Sequence, residues 1–524
     1  MKHKAKASFA AALASASAAF AQIPTVTLSS HTSYIEPTAA GWSAVPLITV
    51  GDTVGSYAMV GIPDGLGAYS SGSSVTILMN HEIGYTQATP PVLQGAVRAH
   101  GSAGGFVSQW TLDKNSLMIT AGQDLVQSAN DVFTWNGSAF TAGTTVFARL
   151  CSADLPAASA FYNSNTSTGY NGRIFMNGEE TGKEGRAFAF VATGSAAGRA
   201  YELPKLGKFS WENSIARPTP GATTAVIGTD DTTPGQVYLY VGTKQTEGNA
   251  VEQAGLHNGN LYGIKVAGVA LETTGAHNAT GAVGTFTLEQ INTNATGDAQ
   301  QTASVAAGVT EFARPEDGQW VDDDTFVFVT TGSTNGGSAK LYSVNFSDAN
   351  NLTAGGTVSL LLNSSSLTGT DGASARSFDN LTVGLDGKVY IQEDPGNSSY
   401  VAKVWQVDLS NPTAAVQIFE SDRDRFAIPV TAPFTQDEEH SGIIDVTNLF
   451  NGVEGDAANW YVAGMKIFMA DTQAHYSIGT GGLVEGGQLQ LLIDSSSAIP
   501  EPASFAALAG LAGLGLAASR RRRA

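Results

Sequence analysis

Short apolar runs that stop at polar or acidic residues recur along the chain. Val, Ile, Phe and Tyr dominate these runs and favour extended backbone, whereas almost no long segment has the spacing of an amphipathic helix. The runs therefore predict buried β-strands, several of which end at acidic residues. They lie at 75–80, 173–177, 224–227, 237–241, 325–329, 388–391 and 465–469.

Repetition of such strands at intervals of about 50 to 100 residues is typical of a radial array of small sheets. We predict an all-β body over residues 22–498, built as a β-propeller of about six blades with loop insertions. The strand ends would then meet in one central channel. A long β-sandwich or two stacked barrels would use the same strands without a shared centre. Residues 271–308, rich in Thr, Ala and Gly, predict a surface insertion or solvated loop, and 363–375 a second one.

Residues 1–21 have the order of a removable export signal. Lys2, Lys4 and Lys6 precede an Ala-rich apolar run, and a small residue, Phe20 and another small residue follow as a cleavage site. This run is too short to predict a stable membrane-spanning helix. We therefore expect a signal helix and export from a bacterial cytoplasm.

Residues 499–524 combine Pro500 and Pro502, an apolar stretch over 503–518 and four arginines at 520–523. The prolines break preceding structure, and the arginines would hold an inserted apolar helix at the cytoplasmic face. This tail resembles a PEP-CTERM sorting segment. The resemblance implies a transmembrane helix before processing, an exosortase partner, and a Gram-negative envelope, outer surface or matrix as the location.

Charge excludes one class of partner. Seven of the 27 basic residues and one of the 46 acidic residues lie in the two end segments, so the body has 20 basic against 45 acidic residues. Such a body offers no basic surface to nucleic acid, but it suits divalent cations. The single cysteine, Cys151, excludes an internal disulfide framework.

An ordered series of motifs runs along the body and resembles PhoX-type alkaline phosphatases. The strongest element is Phe312, Ala313, Arg314, Pro315 and Glu316. The others are Asn80 to Glu82, the segment around Cys151, Gly178 to Glu180, 207–212, 378–381, 391–394, 439–442 and 473–475.

The resemblance implies a propeller whose channel holds Ca²⁺ and Fe³⁺ and hydrolyses phosphate monoesters. It implies catalytic roles for Arg314 and Glu316. The metal ligands that it implies are Cys151, Glu179, Glu180, Glu212, Glu316, Asp379, Glu393, Asp394 and Glu439.

The residue types agree with that chemistry. Carboxylates suit Ca²⁺, a thiolate suits iron, and Arg314 can fork onto phosphate oxygens. In the plainer interpretation, the carboxylates are solvated charges at the ends of strands, and Cys151 is a small buried apolar residue. His81 and His475 fit ligands and hydrogen-bonded supports equally well.

Three departures from the family pattern bear on function. An insertion over 163–170 separates Cys151 from Glu179, Trp211 replaces a histidine, and the leader lacks twin arginines, so metals would be acquired after export. The leading hypothesis is an exported metal-dependent phosphatase. The alternatives are a non-catalytic, calcium-stabilised surface or matrix propeller and a related phosphodiesterase or esterase.

Overall fold

The computed structural model of the protein describes residues 22–272, 279–332, 338–427, 434–479 and 482–498. The predicted signal and sorting segments lie outside these ranges. Within the ranges, no helix combines the length and apolar character needed to cross a membrane.

The chain begins with four short strands and then forms the first of six sheet units. Unit one is an antiparallel sheet with the order β5-β6-β7-β8. The strands are β1 (Ile35–Pro37), β2 (Trp42–Thr49), β3 (Thr53–Val54), β4 (Tyr57–Ala58), β5 (Pro63–Ser71), β6 (Ser74–His81), β7 (Phe106–Asp113) and β8 (Ile119–Asp124).

Unit two has the order β11-β14-β15-β16-β9-β10, and β12 and β13 form a separate hairpin between β11 and β14. Its strands are β9 (Val132–Trp135), β10 (Phe140–Ala142), β11 (Leu150–Asp154), β12 (Tyr162–Asn163), β13 (Thr168–Gly169), β14 (Ile174–Glu179), β15 (Ala187–Val191) and β16 (Ala200–Glu202).

Units three and four share one continuous sheet, because β21 joins the outer strands of both. Unit three contains β17 (Trp211–Ala216), β18 (Thr223–Asp230), β19 (Gly235–Thr243), α1 (Ala250–Gln253), β20 (Asn260–Val266), β21 (Gly281–Ile291), α2 (Gly297–Ala307) and β22 (Glu311–Phe312). Unit four contains β23 (Pro315–Trp320), β24 (Thr325–Thr330), β25 (Lys340–Phe346) and β26 (Gly356–Asn363).

Units five and six complete the fold and take in the start of the chain. Unit five contains β27 (Phe378–Val383), β28 (Lys388–Glu393), β29 (Lys403–Asp408), β30 (Val416–Ser421) and the helix α3 (Arg423–Phe426). Unit six contains β31 (Glu438–Asp445), α4 (Thr447–Phe450), β32 (Lys466–Ser477) and β33 (Glu485–Asp494). β1 pairs with β30 and β2 pairs with β33, so the N-terminal strands form the outer edges of the last two units.

The innermost strands of the six units form a closed ring. β5, β11, β17, β23, β27 and β31 contact one another in that order, and β31 returns to β5. A hydrophobic cluster fills each of the six interfaces between neighbouring units. The all-β prediction is thus confirmed for the described residues, and the ring differs from a sandwich in having one common centre.

Six of the seven predicted apolar runs form the second strands of their units, because a strand between two others is the more completely buried. One prediction is corrected by the structure. The predicted loop over 271–308 contains β21 and α2 among its described residues. β21 has only two buried residues, so its outer position left almost no apolar pattern in the sequence.

Candidate metal centre

In each unit, the innermost strand and the strand next to it place a pair of side chains at the same end of the ring. In register, these strands align Pro63 with His81, Leu150 with Glu179, Trp211 with Asp230, Pro315 with Thr330, Phe378 with Glu393, and Glu438 with Ala474. The next residue on each strand gives the six pairs that we call the paired ring. They are Asp64 and Glu82, Cys151 and Glu180, Glu212 and Asp231, Glu316 and Thr331, Asp379 and Asp394, and Glu439 and His475.

A β-bulge adjoins the paired ring in every unit. The register of the innermost strand shifts between Asp64 and Leu66 in unit one and between Glu439 and Gly442 in unit six. The other four innermost strands shift at the same place. A bulge bends its strand and redirects a side chain. The same local device therefore recurs around the ring where functional side chains are needed.

Four innermost strands are also preceded by a residue in the left-handed backbone region. Ile62, Arg149, Arg314 and Ser377 have φ values of 53°, 46°, 59° and 46°. Each lies two residues before a member of the paired ring. Non-glycine residues seldom adopt this conformation, and it concentrates at functional sites.

Three overlapping groups of acidic and thiol side chains lie within the ring. In each group, one potential ligand atom from each residue lies within 4.8 Å of the others. The groups are Asp64, Glu82 and Cys151; Cys151, Glu180 and Glu212; and Glu212, Asp231 and Glu316. Because Cys151 and Glu212 each belong to two groups, the three form one continuous centre.

Neutral side chains support this centre. Gln473 Nε2 donates to Asp64 and to Glu82, at 3.0 Å in both cases. The Ser152 hydroxyl donates to Glu212 and lies 3.0 Å from Asn380 Oδ1. The Thr331 hydroxyl donates to Glu316. These contacts fix the carboxylates before any ligand binds.

Burial dominates the electrostatics of the centre. It raises the pKa of Asp64, Glu212 and Glu316 well above the usual range, and neighbouring carboxylates add to the effect. The pKa of the Cys151 thiol also rises because of burial and nearby carboxylates. Its Sγ donates to Glu212 Oε2 at 3.1 Å. A bound cation would remove the protons that the isolated cluster retains.

The last two units extend the acidic surface. Burial and then the charge of Glu439 raise the pKa of Asp394 to about 8. Burial opposes ionisation of Glu439, but hydrogen bonding and charge from His475 lower its pKa to about 2. Asp471 is fully buried beside Glu439, and neither of its carboxylate oxygens has a hydrogen-bond partner in another residue of the described ranges. Such a carboxylate is a suitable cation ligand.

Two arginines cover the acidic groups. Arg314 forks onto Asp231 with bonds of 2.6 and 2.8 Å and lies 3.3 Å from Glu316. Arg149 contacts Glu180 and lies 2.6 Å from Glu82. The carboxylates around them raise the pKa of both arginines, so both remain charged.

Two of the sequence-predicted ligands lie away from the centre. Glu179 pairs with Arg186 at 2.7 Å, and Glu393 accepts bonds from Tyr400 at 2.7 Å and Trp405 at 3.0 Å. Both precede a member of the paired ring on a strand, and successive strand side chains point to opposite faces. The structure thus brings in Glu180 and Asp394 but directs Glu179 and Glu393 into structural contacts. The other predicted site residues lie in the paired ring or, for Arg314, against it.

Sequence reasoning did not assign roles to several residues of the centre. Asp64, Glu82, Asp231, Asp471 and Arg149 were absent from the predicted set. Glu82, Asp231 and Asp471 do follow predicted strands, so their position was a usable signal. Asp64 is the second residue of the innermost strand β5, and Arg149 directly precedes the innermost strand β11. The sequences of these two strands carry no such pattern.

The departures noted in the sequence have structural explanations. The insertion over 163–170 forms part of the β12–β13 hairpin, at the opposite end of β11 from Cys151. Cys151 and Glu180 consequently still face one another. Trp211 is buried and stacks on Phe209 with ring centroids 3.9 Å apart, so it fills the interface between units two and three.

Two clefts, each of about 530 Å³, reach the paired ring. Glu82, Arg149 and His475 line one of them, and Arg314, Thr331 and Ser377 line the other. Asp394 borders both. The centre is therefore reachable by a small ligand from two sides.

Comparisons with known proteins agree with this geometry. The family model of alkaline phosphatase PhoX matches residues 167–425, a segment that contains seven members of the paired ring, from Glu180 to Asp394. No curated protein matches the sequence.

Among solved structures, PhoX of Pseudomonas fluorescens in complex with vanadate, a transition state analogue, matches with a TM-score of 0.56 and 12% identity. The match covers 92% of this chain and 98% of that chain. A protein of unknown function from Dyadobacter fermentans matches with a TM-score of 0.41 and 6% identity, over 86% of this chain and 99% of that chain. The family model supports a hydrolase of the phosphatase kind, and the match to PhoX of Pseudomonas fluorescens shows a shared fold.

Proposed function

We propose that the protein is a metal-dependent phosphatase that hydrolyses phosphate monoesters at the paired ring of a six-bladed propeller. One observation carries the proposal: three buried acidic groups merge into one centre, and Arg314 is held beside it. A carboxylate-rich centre with an adjacent guanidinium is suited to phosphoryl groups.

The donor set fits hard cations. Most donors are carboxylate oxygens, and no other residue in the described part of the chain hydrogen-bonds the oxygens of Asp471. Glu212, Asp231, Glu316, Asp379 and Asp394 would hold Ca²⁺, and the Cys151 thiolate would add a softer ligand suited to Fe³⁺. When bound, such cations would neutralise phosphoryl charge and favour attack by an oxygen nucleophile.

The protein's own residues position the substrate. Arg314 presents a planar fork of donors, and the two bonds to Asp231 hold its guanidinium in place. Thr331 orients Glu316, so that carboxylate is fixed rather than mobile. Burial of Asp231 and Glu316 lowers the local dielectric, which would strengthen an interaction between Arg314 and a phosphate oxygen.

Hydrolysis of a chromogenic phosphomonoester by the purified, metal-loaded chain tests the proposal. Glu316→Gln removes a carboxylate of the third acidic group, and we expect a loss of activity together with a loss of bound metal. Glu311→Gln, in β22 outside the ring, is the matched control and should keep both. Absence of hydrolysis by a fully metallated protein would contradict the proposal, and faster hydrolysis of a diester would assign it to phosphodiesterases.

The sequence ends support a proposed location. Signal-like residues 1–21 and the sorting-like tail over 499–524 favour export, exosortase processing and attachment to the outer envelope or matrix. Fractionation of the native host, with mass spectrometry of both termini, tests this. Retention of both end segments on a cytoplasmic protein would contradict it.

A further inference from the structure

Arg149 and Arg314 occupy equivalent positions in two units. Each lies two residues before a member of the paired ring, Cys151 or Glu316, and each has a left-handed backbone. Arg149 contacts Glu180, and Arg314 contacts Asp231. Both of these carboxylates belong to acidic groups that share Glu212, so the two guanidiniums lie at neighbouring parts of one centre. The sequence pattern drew attention only to Arg314.

The two arginines differ in how firmly they are held. Arg314 uses Nε and Nη2 on two different oxygens of Asp231, whereas Arg149 directs both atoms to one oxygen of Glu180. The Arg149 side chain is 47% exposed, compared with 29% for Arg314. Arg149 also lines the cleft that contains Glu82 and His475. Its guanidinium is therefore the freer of the two to meet a ligand.

The partners of Arg149 are residues that a cation would recruit. Glu82 and Glu180 each belong to one of the acidic groups. A cation there would attract these carboxylates and repel the guanidinium, so Arg149 would need another acceptor. A phosphate offers several anionic oxygens in a geometry that a guanidinium matches.

We propose that Arg149 is a second phosphate-binding guanidinium, which together with Arg314 holds the phosphoryl group over Glu212 and Asp231. The inference rests on the proposed phosphatase function. Two guanidiniums complement the dianion of a monoester better than a diester, which has a single negative charge and one more esterified oxygen. Arg149 would thus contribute to selection of monoesters.

Calorimetric titration of the metal-loaded full chain with inorganic phosphate tests this directly. Arg149→Gln should weaken phosphate binding at least about tenfold, the range expected for a lost charge-assisted hydrogen bond. The phosphate affinity of Arg149→Lys should lie between those of Arg149→Gln and the unsubstituted chain, because lysine keeps the charge without the planar fork of donors. Arg199→Gln, also in unit two and 46% exposed near Asp131, is the matched control and should bind like the unsubstituted chain.

Metal content and monoester hydrolysis are measured on the same samples. Unchanged phosphate affinity of fully metallated Arg149→Gln would overturn the inference, as would absence of phosphate binding by the loaded unsubstituted chain. Loss of metal in proportion to lost phosphate binding would assign Arg149 to metal retention instead, and would also overturn it. Phosphate binding that depends on Arg149 without any hydrolysis would support the inference while contradicting the proposed catalysis.

Discussion

At the residue scale, the direction of a single side chain separates a ligand from a structural group. Glu179 and Glu180 are adjacent and chemically identical, yet one pairs with Arg186 and the other joins Cys151 and Glu212. Strand alternation accounts for the difference. An acidic pair in a sequence therefore indicates where such a centre lies, but it does not show which of the two residues can bind a cation there.

This contrast gives a matched test. Glu180→Gln should reduce bound metal and hydrolysis while leaving stability nearly unchanged, because its carboxylate contacts only the centre and Arg149. Glu179→Gln should keep the metal but lose about 1–3 kcal/mol of unfolding free energy, because it weakens a buried ion pair. Metal analysis and denaturant titration of both variants check this. Equal metal loss in the two variants would mean that both carboxylates serve the centre.

At the element scale, the N-terminal strands close the ring. β1 and β2 form the outer edges of units five and six, although they lie far from both in sequence. Ile35 is buried in the interface between those units, and the neighbouring Tyr34 packs on Phe426 with ring centroids 5.5 Å apart. Ile35, the one buried residue of β1, and Tyr34 just before it therefore hold this outer edge in place.

We expect Ile35→Ala to lower the unfolding free energy by about 2–5 kcal/mol, as for other truncations of large buried side chains. Metal content at low temperature should remain normal, because Ile35 lies on the outer edge of its sheet. Leu385→Ala, 63% exposed, is the control and should change stability little. Thermal unfolding followed by circular dichroism measures both. A stable Ile35→Ala variant would show that β1 is dispensable for closure.

The position of a strand within its unit decides whether the sequence predicts that strand. Second strands such as β6 and β28 are buried along most of their length and read clearly as apolar runs. Innermost strands such as β5 and β23 contain glycines and acidic residues, because they face the channel and carry the bulges. Whether a segment is an innermost strand depends on its contacts with the neighbouring units, and the local sequence pattern does not encode these contacts. Ordered motifs therefore located Glu316 and Asp379, whereas Asp64 and Arg149 emerged only from the register.

At the scale of the whole molecule, six units concentrate acidic side chains at one end of the ring. Burial keeps the pKa of Asp64, Glu212, Glu316, Asp379 and Asp471 well above the usual range. Each such group favours folding only while it retains its proton. Cations would remove that dependence by stabilising the ionised carboxylates.

Removal of cations by a chelator should therefore make the stability of the folded protein fall as the pH rises. A carboxyl group whose pKa is raised on folding contributes stability that is fully present below its unfolded pKa and is lost as pH rises through the folded one. For Asp394 the upper limit is a pKa of about 8. Glu439, with a lowered pKa of about 2, loses its contribution only in more acidic solution and does not oppose this trend. The chelated protein should thus show a Tm that falls between about pH 5 and pH 8.

The Tm of the metal-loaded protein should instead rise with pH over this interval, because cation binding requires deprotonated ligands. Asp471→Asn removes one buried ionisable group that no other described residue hydrogen-bonds, so the chelated variant should be more stable than the unsubstituted protein near pH 8. Calorimetric scans with and without chelator measure both effects. A chelated protein whose Tm rises over the same interval would mean that its carboxylates do not retain protons together. The cation requirement would then arise from catalysis alone rather than from the architecture of the ring.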